Sequence, residues 1–201
     1  MAKLSMNDGW VLRDADGVLL SEDVRLPHDA MQLDPRGTHS AAGETNGWIE
    51  AGDYVYEKDF FLSEDDARYS YLLEFEGVYH RCEVLLNGKK VGENHNGYIG
   101  FILDCGRHLR FGANNLLRVS VINSDQPNSR WYTGTGLYRP VWLYKLPEKH
   151  LVPHSLRITT TDYKQRALTV EGRCTQTGTI ELSVWDRETC LWFGNAETGA
   201  E

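Results

Sequence analysis

Long apolar runs are missing from this sequence. No segment approaches the ~20 apolar residues of a membrane-spanning helix, and the opening MAKLSMNDGW lacks the apolar stretch of a secretory leader. A cytoplasmic protein with no membrane contact is the expectation. Cysteine is scarce too: Cys82, Cys105, Cys174 and Cys190 show no C-x-x-C spacing, which argues against a zinc site and against a compact disulfide framework. Reduced thiols are expected, with a Cys82 to Cys105 pairing left open by spacing and disfavoured by the compartment. Basic charge is also in deficit. Lys and Arg number 21 against 29 Asp and Glu, a net charge of -8, and nucleic-acid binding draws its affinity from clustered cations at phosphates. No nucleic-acid partner is expected, and the pair Lys89-Lys90 reads as a solvated hairpin tip.

Signature motifs of large enzyme classes are absent as well. There is no G-x-S-x-G nucleophile elbow and no G-x-x-x-x-G-K-[ST] phosphate loop. His150 and His154 have helical ligand spacing, but Pro153 falls inside the interval and disfavours a helix there. No metal site and no cofactor are predicted for this chain. None of the 29 acidic residues marks itself as half of an acid/base pair. Glu64-Asp65-Asp66 reads as a solvated turn, and Glu74 and Glu76 alternate with an apolar strand face and should point to solvent.

What the 201 residues do contain is 41% apolar and 11% aromatic composition, enough for a core, arranged with period two. Tyr71, Leu73 and Phe75 share one strand face, as do Cys82, Val84 and Leu86, and then Leu117, Val119 and Val121. Asn87-Gly88 supplies a tight hairpin, and Val141 to Leu146, apolar on both faces, reads as a more buried strand. The chain is predicted all-β. Pro147 to Pro153 interrupts the pattern and marks a boundary, giving expected domains over 1–147 and 148–201. Beyond it, Leu156 and Ile158, Leu168 and Val170, and Ile180, Leu182 and Val184 predict three short strands. These fit the opening of an immunoglobulin-like sandwich, a domain of about 100 residues that this stretch cannot complete.

The segment Asn123 to Gly136 is too irregular for a strand and too aromatic for disorder, so an ordered loop is expected. Polar and aromatic residues gather there and at Asn87 and His95-Asn96-Gly97-Tyr98. Such a surface suits a sugar, whose C-H face stacks on an aromatic ring while amides and carboxylates bond its hydroxyls. The competing reading is that Tyr98, Trp131 and Tyr132 are buried anchors that tie loops to the sandwich.

Three stretches carry a resemblance to a known family: VRLPHDAMQL at Val24 to Leu33, EFEGVYHRCEVLLNGKKVGENHNGYIGF at Glu74 to Phe101, and SRWYTGTGLYRPVWL at Ser129 to Leu143. From about Asn7 to Leu146 the chain resembles the N-terminal sugar-binding domain of the β-galactosidase/β-glucuronidase/β-mannosidase glycoside hydrolases. The resemblance implies a jelly-roll, galactose-binding-like β-sandwich followed by a partial immunoglobulin-like sandwich. It further implies a catalytic (β/α)₈ barrel elsewhere in a longer chain, so no catalytic residue is assigned here and the chain alone should be inactive. The implied ligand is a β-linked glycoside or monosaccharide, and packing into a homo-oligomer is open. Asn87 matches the family's sugar-contacting Asn of an N-G turn. Asn123, Asp125, Tyr98 and Trp131 complete the expected substrate-binding set, with Ile122 standing where the family often has an acid. Arg139 is expected to be structural, entering a buried strand with carboxylate or carbonyl partners. Two other readings compete: a free-standing carbohydrate-binding module, and a domain-packing scaffold without a ligand.

Overall fold

The computed structural model describes residues 2–199, which fall into two compact units, Ala2–Lys145 and a second from Leu146 onward. Among the described residues the regular structure is β-strand with four short 3-10 turns. In the first unit the strands are β1 (Ala2–Ser5), β2 (Trp10–Asp14), β3 (Leu19–Val24), β4 (Tyr54–Leu62), β5 (Ser70–Phe75), β6 (Arg81–Leu86), β7 (Lys89–Asn94), β8 (Phe101–Asp104), β9 (Ala113–Ile122) and β10 (Val141–Leu146). They form a six-stranded sheet in the order β3-β2-β4-β9-β6-β7 and a four-stranded sheet in the order β1-β10-β5-β8.

The alternation read from the sequence explains why two sheets make one core. Tyr71, Leu73, Phe75, Val141 and Leu143 of the smaller sheet pack with Trp10, Leu12, Tyr56, Cys82, Val84, Leu86, Leu117, Val119 and Val121 of the larger. Each such side chain is withdrawn from water, a gain of roughly 2 kcal/mol for a Leu or Phe. Where a large aromatic carries a polar atom the fold supplies a partner: the Trp10 Nε1–H donates to the Met6 carbonyl at 2.6 Å. The Trp10 ring meets Tyr56 edge-on, with centroids 6.4 Å apart. All four cysteines are free, and burial pushes the thiols of Cys82 and Cys105 up to about 12. They are inert packing groups.

Two expectations, for Glu74 and Arg139, are corrected. Glu74 does not face solvent: it is 7% exposed, accepts a hydrogen bond from the Tyr144 hydroxyl at 2.8 Å and pairs with Lys3 at 2.9 Å. The outer face of the smaller sheet carries the large side chains Trp142 and Tyr144, whose rings lie beneath the Lys3 ammonium and cover the carboxylate. Glu64 to Arg68 is the solvated turn expected, a 3-10 turn closed by a capping box with Asp66 accepting from the Ser63 amide and hydroxyl. Lys145 and those Ser63 donors hold the Asp66 carboxyl down at about 2. Arg139 is exposed rather than buried, and its guanidinium lies over the Tyr138 ring at 5.3 Å.

The second unit holds four strands instead of three: β11 (Arg157–Asp162) pairs with β12 (Ala167–Glu171), and β13 (Gly178–Asp186) with β14 (Thr189–Thr198). The missed strand, β14, has an apolar run Leu191-Trp192-Phe193 without alternation, so period two could not find it. Leu156, Ile158, Leu168, Val170, Trp185, Leu191, Trp192 and Phe193 are exposed on these hairpins.

Candidate functional site

The long loop begins where β9 and β6 run out. Its first residue, Asn123, follows the last β9 position, whose partner across the pair is Arg81. A carboxylate from the β4 entrance fixes this start: Asp53 accepts from the amides of Asn123 and Ser124 at 2.8 and 2.9 Å and from the Ser124 hydroxyl at 2.8 Å. Asn123 itself is 1% exposed. Its amide nitrogen donates to the Thr135 hydroxyl at 2.6 Å and the Gly134 carbonyl at 3.2 Å, and its amide oxygen accepts from Asn128 at 2.7 Å. Asn123 therefore cross-links the two ends of the loop and has no face left for a ligand.

A second carboxylate fixes the loop's other end. Asp29 of the LPHDA segment accepts from the Thr135 amide at 2.8 Å, from the Met31 amide at 3.1 Å and from the Tyr132 hydroxyl. Next to it the loop passes so close to the core that only glycine fits at position 136: φ is +137°, and a Cβ would overlap the Tyr56 hydroxyl and the His28 carbonyl. Gly136 also exchanges backbone hydrogen bonds with Tyr79 at 2.8 and 3.0 Å, stitching the loop to the chain that enters β6.

On this frame the aromatic side chains stand open. Trp131 is 59% exposed and Tyr98 is 55% exposed, so neither is a buried loop anchor. Tyr98 leans edge-on against Tyr79, with centroids 5.4 Å apart, and Tyr79 stacks on His80 at 5.0 Å and reaches Asn128 at 3.4 Å. The Tyr138 hydroxyl donates to the Gly97 carbonyl at 2.7 Å, which ties the Tyr98 turn to the same end. Tyr132 does act as an anchor, but through its hydroxyl, and its ring stays on the surface. Burial pushes the Tyr79 phenol up to about 12 and lowers the His80 imidazole, with Arg81 adding to the latter effect. At neutral pH this end presents uncharged rings beside the Arg81–Asp125 ion pair.

The expected set is thus divided. Tyr98, Asp125 and Trp131 come to one end of the sandwich, with Asn123 beneath them as the strut. Asn87 lies at the other end: β6 pairs from Arg81↔Ile122 to Leu86↔Leu117, so the Asn87 turn and Asn123 are about 20 Å apart at ~3.4 Å per residue. The Asn87 amide nitrogen donates to the His108 carbonyl and to Asn115, both at 2.8 Å, and its oxygen accepts from the Leu116 amide at 3.0 Å. With φ of +53° it fills the first corner of the hairpin turn. Asp29, Asp53, Tyr79 and Arg81 were not singled out in the sequence, and His80 only as a strand neighbour of Cys82 with too few further ligands for a metal. Asp29 lies in VRLPHDAMQL and Tyr79, His80 and Arg81 in EFEGVYHRC, two of the stretches that carry the resemblance.

The carboxylates at this end hold protein donors: Asp53 and Asp29 accept from backbone amides, and Asp125 pairs with Arg81. Among the described residues no group of three or more His, Cys, Asp or Glu could hold a metal ion, and no helix is long and apolar enough to cross a membrane. The arrangement can bind and orient a ligand.

Comparison with known proteins bears on the family and the fold. Residues 35–134 match the family described as glycosyl hydrolase 2 galactose-binding domain-like. The chain is 38% identical over 145 residues to beta-galactosidase BoGH2A of Bacteroides ovatus, covering 71% of this chain and 17% of that protein. It is 32% identical over 147 residues to a beta-glucuronidase of Formosa agariphila, covering 65% of this chain and 15% of that one. A glycosyl hydrolase family 2 member from Bacteroides cellulosilyticus has the same fold, with a TM-score of 0.82 at 21% identity, over 98% of this chain and 28% of that one. The chain thus spans less than a third of the length of these proteins.

Proposed function

Because the chain belongs, through residues 35–134, to the glycosyl hydrolase 2 galactose-binding domain-like family, we propose that it is the sugar-binding N-terminal part of a retaining β-galactosidase-like exo-glycosidase. Its ligand is a β-linked glycoside, and the catalytic carboxylates lie on a (β/α)₈ barrel outside these residues. One observation carries the reading: Tyr98 and Trp131 are exposed at one end of the sandwich, beside a loop whose backbone Asp29 and Asp53 hold rigidly. Presenting large rings to water has no packing benefit, and a preformed aromatic platform beside an ion pair is what a pyranose requires. Asp125 and the Arg81 guanidinium supply the polar contacts. The relatives' names, beta-galactosidase and beta-glucuronidase, support a β-glycoside as substrate.

The second unit is, in this reading, the opening part of an immunoglobulin-like sandwich. Two hairpins with apolar residues left in water are what such a domain presents before its remaining strands cover them. The same exposure disfavours a free-standing module. Four free thiols fit a cytoplasmic setting.

The test has two arms. The 201-residue chain should release no nitrophenol from p-nitrophenyl β-D-galactopyranoside, whereas turnover by the purified chain would refute the absence of catalytic groups. Methyl β-D-galactopyranoside should shift the amide resonances around Tyr98 and Trp131. Failure to do so at millimolar sugar would remove the binding role.

A further inference from the structure

A cleft of about 410 Å³ opens beside Tyr132. Its walls are Gln32 and Asp34 from the segment after LPHDA, Arg36 and Ile49, which are joined by a β-bridge, and Tyr132 from the long loop. Nothing in the substrate reading above uses it.

The groups in this cleft divide into those already committed and those still available. Asp34 is committed: its carboxylate accepts from the Tyr54 hydroxyl and from the Gly52 amide at 3.2 Å. The Tyr132 hydroxyl is committed to Asp29, which fixes the ring where it lines the cleft. Arg36 is available. Among the described residues its guanidinium has neither a carboxylate nor a hydrogen-bonded acceptor, although Asp29, Asp34 and Tyr132 are close enough to feel charge in the same region. The Gln32 side chain reaches Asp29 only at 3.4 Å, and its amide oxygen is unused.

A rigid aromatic face, a planar fork of donors and an amide are the elements that hold a pyranose: C-H groups against the ring and adjacent hydroxyls on the guanidinium. The volume falls in the range of small-ligand sites. The charge selects among sugars. The lining carries one carboxylate, Asp34, and one guanidinium, Arg36, so its formal charges cancel and a neutral hexose meets no net field there. Tyr132 follows Trp131 directly, so the cleft and the Trp131 ring belong to neighbouring residues of one loop.

We propose that the cleft bounded by Gln32, Arg36 and Tyr132 is a second sugar subsite, which takes a further neutral hexose unit of an oligosaccharide whose first unit sits at Tyr98 and Trp131. The proposal rests on the sugar-binding reading of that platform and gives the domain a preference for chain length.

The test titrates the ¹⁵N-labelled 201-residue chain with methyl β-D-galactopyranoside, a β-(1→4)-linked galactotriose and methyl β-D-glucuronide, following amide shifts. The trisaccharide should perturb Gln32, Arg36 and Tyr132 together with Trp131. Arg36→Ala, an exposed substitution whose melting temperature should be unchanged, should weaken trisaccharide binding by about tenfold, the scale of one or two lost charge-assisted hydrogen bonds. The same variant should bind the monosaccharide as before. Shifts confined to Tyr98 and Trp131, or equal trisaccharide affinity in Arg36→Ala, would overturn the second subsite and leave the platform standing. Shifts at Arg36 from the glucuronide alone would overturn the choice of a neutral sugar, and no shift anywhere would overturn platform and cleft together.

Discussion

Asp29 is one carboxylate with four separate donors, the amides of Met31 and Thr135, the hydroxyl of Tyr132 and, at 3.4 Å, the side-chain amide of Gln32. Removing it strands donors in a partly buried setting, so Asp29→Ala should cost on the order of 2 kcal/mol in urea unfolding. A change within 0.5 kcal/mol of the parent, in the sense of an ordinary surface substitution, would mean the loop holds itself. Arg139 shows the opposite case. Its sequence position before a buried strand suggested a buried cation, yet the side chain turns outward onto Tyr138, and Arg139→Ala should leave the melting temperature nearly unchanged. His28 sets a pH dependence. Desolvation lowers its pKa below the ordinary 6.5 while its Nδ1 contacts the Tyr56 hydroxyl at 2.9 Å. The folded state then resists protonation more than the unfolded chain does, so His28's contribution is complete above about 6.5 and declines as pH falls through the lowered folded value. Melting temperatures from pH 7.5 to 5 should fall, and less steeply in His28→Gln.

The β6-β7 hairpin and the long loop sit at opposite ends of the same strands, and their roles separate accordingly. Asn87 is bound to His108, Asn115 and Leu116 and adopts a positive φ, so Asn87→Ala should destabilise by about 2 kcal/mol through lost hydrogen bonds and left-handed strain. Once folded, that variant should bind sugar like the parent. A selective loss of binding at full stability would return Asn87 to the ligand site. The loop itself was legible in the sequence as an ordered, aromatic-rich connection because disorder does not tolerate so many rings. Its struts were not, since the distances that bind Asp29 to Thr135 and Asp53 to Asn123 span 106 and 70 residues.

Across the whole molecule the two units differ in what they bury. The first has a continuous two-sheet core, whereas the second leaves Trp185, Leu191, Trp192 and Phe193 in water. Backbone in the second unit should therefore open locally at lower cost. Brief proteolysis is expected to trim the chain from its C-terminal side to a stable product that ends near Lys145 and still contains Trp131. Cleavage first inside the Ala2–Lys145 unit would contradict this order of stability.

Alternation at period two was enough to reveal the all-β class, the inward faces of β5, β6 and β9 and the Asn87-Gly88 turn, because side-chain direction in a strand and backbone conformation in a tight turn are local properties. It failed for Glu74, whose cover of Trp142, Tyr144 and Lys3 comes from neighbouring strands, and for β14, whose pattern is not periodic. The composition of the site was likewise visible in its residues, as aromatic and polar side chains crowded into loops. Which of those side chains point outward, and that Asn87 stands at the wrong end to join them, depended on strand pairing. Pairing brings together residues far apart in the chain, and no local pattern records which end of a sheet they reach.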